Sequence, residues 1–158
     1  MKNFYNYSFK FCNLFIAEEN EAICNILLKI DKTPAGFEKQ ETPLIKEAAN
    51  QLEEYFNGKR NKFNLPLVLH GTVFQEKVWK ALQTIPFGET CSYGKLAAMI
   101  GNPKACRAAG MANNRNPIMI VIPCHRVIGH DGNLTGYAGG LELKQKLLEL
   151  ETNYSFKR

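Results

Sequence analysis

Long hydrophobic runs are missing from this sequence. No apolar stretch approaches the ~18 residues that a membrane-spanning helix requires, so we expect no transmembrane segment. The segment 1–15 has a single lysine before its aromatic residues and no small-residue cleavage site, which is not typical of a secretory signal peptide. We therefore expect a cytoplasmic protein that makes no contact with a membrane.

Paired cysteines are also missing. The five cysteines include no Cys-x-x-Cys pair, and this odd number favours free thiols in a reducing compartment. Cys12, Cys24 and His70 are candidates for a zinc site, but a fourth ligand and the usual ligand spacing are lacking. We favour half-buried cysteines in strands and predict no metal.

A large excess of one charge is absent as well. The net charge is +5 over 158 residues, which suits a polyanionic partner without requiring one. The chain is 45% hydrophobic, enough to bury a core, and its length fits one ordinary domain or two small ones.

The order of patterns along the chain predicts two lobes. Two apolar runs, 9–17 and 22–30, are separated by a polar turn of hairpin length. A helix is predicted to start at Thr42, which can cap it, and to end at Gly58. The basic, proline-containing segment 57–71 follows, so we divide the chain into domains 1–70 and 71–158.

The second lobe is predicted to be helical up to residue 115. Thr72 can cap its first helix, and Ser92 and Pro103 begin two short helices joined by a glycine turn. This is the helix-turn-helix pattern, which DNA-binding proteins share with many other packed helix pairs.

The second helix of this pair, 104–114, is built largely of small residues. Ala105 and Ala108 flank Arg107, so the helix could approach a nucleic acid closely and insert this one arginine. The alternative interpretation is that the alanines pack in the core and Arg107 is a solvated charge.

The stretch 116–132, NPIMIVIPCHRVIGHDG, contains the most reactive side chains. Its five apolar residues, 118–122, predict a buried strand that ends at Pro123. Cys124, His125 and Arg126 follow directly, and a thiolate nucleophile needs a nearby base or cation. Because Pro123 ends the strand, a turn or a bridging water could couple the thiol to the imidazole. A buried structural cysteine is the alternative.

The last predicted helix, 141–151, has an apolar face that includes Leu141, Leu147 and Leu148. Glu151 follows at helical spacing on this face, where an unpaired carboxylate would be costly. His125 needs an acceptor that orients its ring, so Glu151 is the candidate partner. A frayed helix end, at which the carboxylate reaches water, is the alternative.

A glycine-rich segment, 129–140, connects the cysteine region to this helix. Five glycines surround Tyr137, so main-chain amides and carbonyls could approach a ligand closely. A flexible connection is the alternative.

Residues 72–151 resemble the O6-alkylguanine-DNA alkyltransferases (methylated-DNA–protein-cysteine methyltransferases). The similarity rests on IPCHRVIG, on the Asn-Pro pair upstream of it and on GYAGGLELKQKLLELE downstream. It implies an α/β fold with an N-terminal sheet-and-helix domain of the RNase H-like kind. The C-terminal domain would be mainly helical, with a winged-helix-like helix-turn-helix.

The resemblance also implies a function. The protein would repair double-stranded DNA by direct, irreversible, single-turnover transfer of the alkyl group from O6-alkylguanine to a cysteine, with O4-alkylthymine left open as a further substrate. The target atom is inaccessible in a stacked duplex, so the base must be flipped out. We expect a monomer without a cofactor.

Roles for individual residues follow from the same resemblance. Cys124 is the alkyl acceptor, and His125, oriented by Glu151, removes its proton through a water. Asn116 braces the turn between the DNA-reading helix and the active-site strand, and Tyr93 protonates the departing guanine. Arg107 replaces the flipped nucleotide, and the other DNA contacts are assigned to Tyr93, Ala105, Ala108, Ser92 and Arg115. Tyr137, Ala138 and Gly139 line the pocket for the guanine, and the main chain at Cys124 and Val127 reads its exocyclic amine.

Three other functions fit parts of the sequence. A binding module of the same fold would sense O-alkyl lesions without removing them, but such relatives lack the cysteine of PCHR. A helix-turn-helix transcription regulator would leave PCHR without a purpose. A cysteine hydrolase would turn over repeatedly, whereas no second group here is poised to cleave a thioether.

Overall fold

A sheet and one helix form the first of the two units into which the chain divides, Met1–Leu69 and His70–Arg158. The structure is a computed structural model that describes residues 1–29 and 31–154. Within those residues, no helix has the length and apolarity needed to cross a lipid bilayer. The elements of the first unit are β1 (Lys2–Ser8), β2 (Asn13–Glu19), β3 (Ala22–Leu28), β4 (Phe37–Lys39) and α1 (Pro43–Phe56).

The strands of the first unit lie in the order β3-β2-β1-β4, and only the β1–β4 pair is parallel. The β2–β3 hairpin turns at Asn20 and Glu21, whose φ angles of 50° and 66° suit a two-residue turn between twisted strands. The predicted hairpin is confirmed. Its first strand begins later than predicted, because the main chain turns between Phe9 and Cys12 and separates β2 from β1.

The predicted capping of α1 is confirmed. The Thr42 hydroxyl accepts a hydrogen bond from the Ile45 main-chain N–H at 3.2 Å, and Pro43 occupies the first turn, where its missing N–H costs nothing. The apolar face of α1 packs on the sheet and buries Leu52 and Phe56 completely. Burying a side chain of this size stabilises the fold by about 1.5–3 kcal/mol.

The second unit is mainly helical. Its capping residues Thr72 and Ser92 accept hydrogen bonds from the main-chain N–H groups of Gln75 and Lys95, each at 3.0 Å, as their positions in the sequence predict. Its elements are α2 (Val73–Leu82), β5 (Cys91–Ser92), α3 (Tyr93–Met99), α4 (Cys106–Asn114), a 3₁₀ helix (Cys124–Arg126), β6 (Val127–Ile128) and α5 (Leu141–Asn153).

Helices α3 and α4 form the predicted helix-turn-helix and pack on α2. The Trp79 indole N–H on α2 donates to the Ala112 carbonyl on α4 at 2.9 Å and anchors the pair. Helix α4 begins at Cys106, two residues later than predicted, with Ala105 as its N-cap. The predicted fold class, a sheet-and-helix unit followed by a mainly helical unit, is confirmed.

The predicted strand at 118–122 is wrong, because these apolar residues form a buried turn. The Ile122 N–H donates to the Ile118 carbonyl at 3.0 Å, and Ile120 has a φ of 72°. A β-branched residue in the left-handed region carries strain of about 1–3 kcal/mol. An apolar run of this length predicts burial, but it cannot distinguish a strand from a buried turn.

The predicted apolar face of α5 is partly wrong. Leu141 is exposed and Leu148 only half-buried, whereas Leu143, Leu147 and Leu150 are buried. The helix continues to Asn153, so Glu151 lies within a formed turn and is itself buried. The interpretation of a frayed end that exposes Glu151 is therefore wrong.

Candidate active site

The Cys124 thiol lies at the start of the 3₁₀ helix and is 2% exposed. The helix bends the chain directly after Pro123, so Cys124 and His125 do not point to opposite sides as they would on a strand. Burial raises the pKa of the Cys124 thiol to about 11, and the Asn116 side chain and the Lys144 charge oppose this rise. The resting thiol is therefore protonated at neutral pH and needs a base.

Asn116 spans the buried turn that leads to this cysteine. Its side-chain amide donates to the Ile122 carbonyl at 2.7 Å, and its side-chain oxygen accepts from the Ile118 N–H at 2.9 Å. One side chain thus satisfies a buried main-chain group at each end of the turn, which supports the strained conformation of Ile120.

The ring of His125 is completely buried, and its Nε2 lies 2.6 Å from a carboxylate oxygen of Glu151. Burial alone would raise the pKa of the Glu151 carboxyl, but His125 and Arg126 outweigh it and hold this pKa well below its usual range. Glu151 is therefore an anion, so Nε2 must carry the proton that the two groups share.

The remaining ring nitrogen of His125, Nδ1, is buried and has no hydrogen-bond partner within the described residues. In the tautomer that Glu151 selects, Nδ1 carries the lone pair. Burial lowers the pKa of His125, and the positive charges of Arg126 and Lys144 lower it further, although Glu151 acts in the opposite direction. The imidazole is therefore neutral and able to accept a proton.

Arg126 completes the surroundings of the Glu151 carboxylate. Its Nε and Nη2 donate to the two carboxylate oxygens at 2.8 Å and 3.0 Å, and its Nη1 donates to the Ile85 carbonyl at 2.6 Å. The Gly88 N–H adds a further bond to Glu151 at 3.2 Å. The sequence presents Arg126 only as a cation near the thiol and does not predict its pairing with Glu151.

Lys144 on α5 is a second functional side chain that sequence reasoning missed. Its ammonium group is fully buried and donates to the carbonyls of Val127 at 2.6 Å and Thr135 at 2.7 Å. Burial lowers its pKa, and Cys124 opposes this shift. A signal was present, because Lys144 precedes Leu147 by three residues and Glu151 by seven and so shares their helix face.

Tyr93, the first residue of α3, reaches the glycine-rich segment 129–140. Its hydroxyl donates to the Thr135 carbonyl at 3.0 Å, and the Thr135 hydroxyl lies 3.3 Å from the same phenol oxygen. Its ring packs on Gly110, where an added Cβ would lie 3.4 Å from the ring. The small residue in α4 therefore allows the two helices to approach each other at this point.

The four residues assigned to the base pocket differ in exposure. Val127 and Tyr137 are buried, Gly139 is half-buried and Ala138 is exposed. A Cβ at Gly139 would lie 2.8 Å from the Tyr137 ring and 2.9 Å from Leu143, so this position accepts only glycine without rearrangement.

The residues assigned to DNA contact lie on α3 and α4 and at their ends. Arg107, Ala108 and Arg115 are exposed, and Ala105, Ser92 and Tyr93 are half-buried. Ala109 on the same helix is fully buried, so the small residues of α4 serve both the packing and the exposed surface.

The structure therefore brings Cys124, His125, Glu151 and Asn116 together. Separate hydrogen bonds join Tyr93 to Val127 through Thr135 and Lys144. Within residues 1–29 and 31–154, no three His, Cys, Asp or Glu side chains are grouped so as to hold a metal ion. The arrangement is a buried thiol, a neutral imidazole with a free lone pair and a fixed carboxylate. Such a set can transfer the thiol proton and make a sulfur nucleophile.

Comparison with known proteins gives two family matches. Residues 73–153 match the DNA binding domain of 6-O-methylguanine DNA methyltransferase. Residues 4–69 match the ribonuclease-like domain of the same family.

Individual relatives and solved structures agree. The chain is 62% identical over 109 residues to the methylated-DNA–protein-cysteine methyltransferase of Methanosarcina barkeri, with 69% of each chain covered. It is 50% identical over 145 residues to the constitutive enzyme of that name from Bacillus subtilis, which covers 87% of this chain and 88% of that one. A crystal structure of Mycobacterium tuberculosis OGT in complex with DNA matches with a TM-score of 0.89 and 43% identity, over 95% of this chain and 92% of the other.

Proposed function

The chain belongs to the 6-O-methylguanine DNA methyltransferase family, and on this premise we propose that Cys124 is the residue that receives the alkyl group. The protein is a DNA-repair enzyme, a methylated-DNA–protein-cysteine methyltransferase that transfers the alkyl group from DNA to its own cysteine. The observation that carries the choice of Cys124 is its position beside His125, whose ring is oriented by an ionised Glu151.

The reaction begins with removal of the thiol proton. His125 Nδ1 accepts this proton through a bridging water, because a buried ring nitrogen without a protein partner is the kind of group that ordered water satisfies. The Glu151 carboxylate stabilises the imidazolium that forms, and Arg126 keeps Glu151 ionised and correctly oriented. Asn116 holds the turn that presents the thiolate.

Alkyl transfer then exchanges one bond for another. The thiolate attacks the O6-alkyl carbon, an S–C bond forms, and the C–O6 bond breaks with its electron pair left on the guanine. Tyr93 donates its proton to the guanine ring and becomes a phenolate. The product is a thioether, which no second nucleophile cleaves, so each molecule reacts once and irreversibly without a cofactor.

Double-stranded DNA that contains O6-alkylguanine is the proposed partner. The exposed Arg107 of α4 enters the duplex and replaces the flipped nucleotide, while Ala105, Ala108, Ser92 and Arg115 contact the DNA around it. Tyr93 contacts the DNA as well as the leaving guanine.

The flipped base enters a pocket lined by Val127, Tyr137, Ala138 and Gly139. The Val127 carbonyl already accepts a hydrogen bond from Lys144, and its second lone pair can accept one from the exocyclic amine of guanine. We further propose that the protein acts as a monomer in the cytoplasm.

The test is the intact mass of the protein after incubation with a duplex that contains one O6-methylguanine. We expect a gain of one methyl group that maps to Cys124, with no turnover beyond one equivalent. Cys124→Ser should gain no methyl but still bind the duplex, whereas Cys106→Ser should react like the wild type. A methyl on another cysteine, or continued turnover, contradicts the proposal.

A further inference from the structure

Thr135 and Tyr93 exchange two hydrogen bonds between the glycine-rich segment and the first residue of α3. The phenol donates to the Thr135 carbonyl at 3.0 Å, and the Thr135 hydroxyl donates back to the phenol oxygen at 3.3 Å. One residue thus offers an acceptor for the phenol proton and a donor for the phenol oxygen.

The position of the phenol is fixed from the opposite side as well. The Tyr93 ring rests on Gly110 of α4, and Thr135 holds the hydroxyl end of the side chain. The Thr135 carbonyl is itself fixed by the Lys144 ammonium at 2.7 Å. Groups from α3 and α5 therefore meet at a single peptide of the glycine-rich segment.

We propose that Thr135 is a positioning residue for proton donation by Tyr93 during alkyl transfer. The inference rests on the proposed function, in which Tyr93 protonates the departing guanine. In the resting protein the Thr135 carbonyl holds the phenol proton, and in the reaction the Thr135 hydroxyl stabilises the phenol oxygen that loses it.

The carbonyl and the hydroxyl of Thr135 act at different stages of the proton transfer. As the C–O6 bond breaks, the Tyr93 proton leaves the Thr135 carbonyl and bonds to a guanine ring nitrogen, so the guanine is neutral and the phenol becomes a phenolate. The Thr135 hydroxyl then donates to an anion instead of a neutral oxygen, and such a charge-assisted bond is shorter and roughly twice as strong. Solvent later returns a proton to the phenolate.

Lys144 keeps the Thr135 carbonyl hydrogen-bonded after the Tyr93 proton has left it. When the phenol proton departs, the Thr135 carbonyl keeps its bond to the Lys144 ammonium. The positive charge of the same ammonium group also stabilises the negative phenolate oxygen near that carbonyl. Release of the Tyr93 proton is therefore easier at Thr135, because its carbonyl already has a second donor.

The test measures single-turnover methyl transfer from an O6-methylguanine duplex to wild-type protein and to Thr135→Val, Thr135→Ser, Tyr93→Phe and Thr135→Val/Tyr93→Phe. Thr135→Val keeps the carbonyl and removes only the hydroxyl, so we expect a rate about tenfold lower or more. Thr135→Ser should restore most of the rate. Thr33→Val, an exposed substitution of the same kind in the first unit, should leave the rate unchanged.

The double variant separates positioning from a general structural role. In the absence of the Tyr93 hydroxyl, removing the Thr135 hydroxyl should slow the reaction no further. Binding of an undamaged duplex should be equal for the wild type, Thr135→Val and Thr135→Ser. Three results would overturn the inference: an unchanged rate in Thr135→Val, a further loss in the double variant, or no recovery in Thr135→Ser. Each of these applies when the wild type is methylated as proposed. Absence of methylation of the wild type overturns the proposed function itself.

Discussion

At the residue scale, the Glu151 carboxylate fixes the orientation of the groups around it. Glu151 accepts hydrogen bonds from His125, from two nitrogens of Arg126 and from the Gly88 N–H. These bonds use both oxygens fully, so neither the carboxylate nor the imidazole is free to rotate. The proposed base is therefore fixed in one tautomer and one orientation before any DNA is present.

The pH dependence of methyl transfer follows from the environment of His125. Its pKa is lowered from 6.5, chiefly by burial, so the neutral form that accepts the thiol proton persists as the pH falls through 6.5. We expect the single-turnover rate on an O6-methylguanine duplex to stay level between about pH 8 and pH 6.5 and to decline only below that.

The measurement requires a matched control for DNA binding. Duplex affinity is determined at each pH, so that weaker DNA binding is not mistaken for protonation of His125. An acidic limb with its midpoint at or above pH 6.5 would contradict the lowered pKa of His125.

At the element scale, the buried turn at 118–122 decides where the thiol points. Its main chain includes Ile120 at a φ of 72°, a conformation that a β-branched residue adopts only when its surroundings enforce it. Asn116 provides that enforcement by bonding to both ends of the turn. The turn lies between the end of α4 and the 3₁₀ helix, so only a short segment separates the helix proposed to contact DNA from the thiol.

Asn116→Ala should destabilise the second unit. The substitution leaves the Ile118 N–H and the Ile122 carbonyl buried without their partner, and the expected loss in the free energy of unfolding is about 2–4 kcal/mol. Urea denaturation measures this loss. Asn50→Ala, at an exposed position of α1, is the control and should change stability by less than about 0.5 kcal/mol. Equal losses in the two variants would rule out the bracing role.

The exposed face of α4 predicts a difference between two substrates. Arg107→Ala should slow methyl transfer from duplex DNA about tenfold to a hundredfold, because unstacking a base costs a few kcal/mol that the proposed insertion of this arginine would offset. Reaction with free O6-alkylguanine base should be almost unchanged, since no base has to be flipped.

Lys46→Ala is the control for the Arg107 experiment. It removes one positive charge from an exposed position of α1 in the other unit, and both rates should match the wild type. Equal losses on duplex and free base in Arg107→Ala would refute a role in flipping.

At the scale of the whole molecule, burial could be predicted from sequence more reliably than conformation. The sequence predicts that Glu151 has a partner, because an unpaired carboxylate on an apolar helix face is costly. The apolar run at 118–122 predicts burial correctly, but a strand and a tight turn bury the same residues. The positive φ of Ile120 has no signal in the sequence, because the residue type argues against it.

The main-chain acceptors of Arg126 and Lys144 could not be predicted for a different reason. Both side chains donate to main-chain carbonyls, those of Ile85 for Arg126 and of Val127 and Thr135 for Lys144. Every residue has a carbonyl, so no residue type marks these acceptors. Their positions depend on how the loops pack in the folded unit.

Glu151 lies far along the chain from its partners, so a newly made molecule gains its complete proton-transfer site only late in synthesis. Gly88 and Glu151 are 63 residues apart, and α5 is the last described helix to leave the ribosome during synthesis. Until it docks, the nascent chain carries Cys124 beside a histidine that nothing orients. The proposed alkyl transfer therefore requires a docked α5, because only then does Glu151 hold the ring of His125.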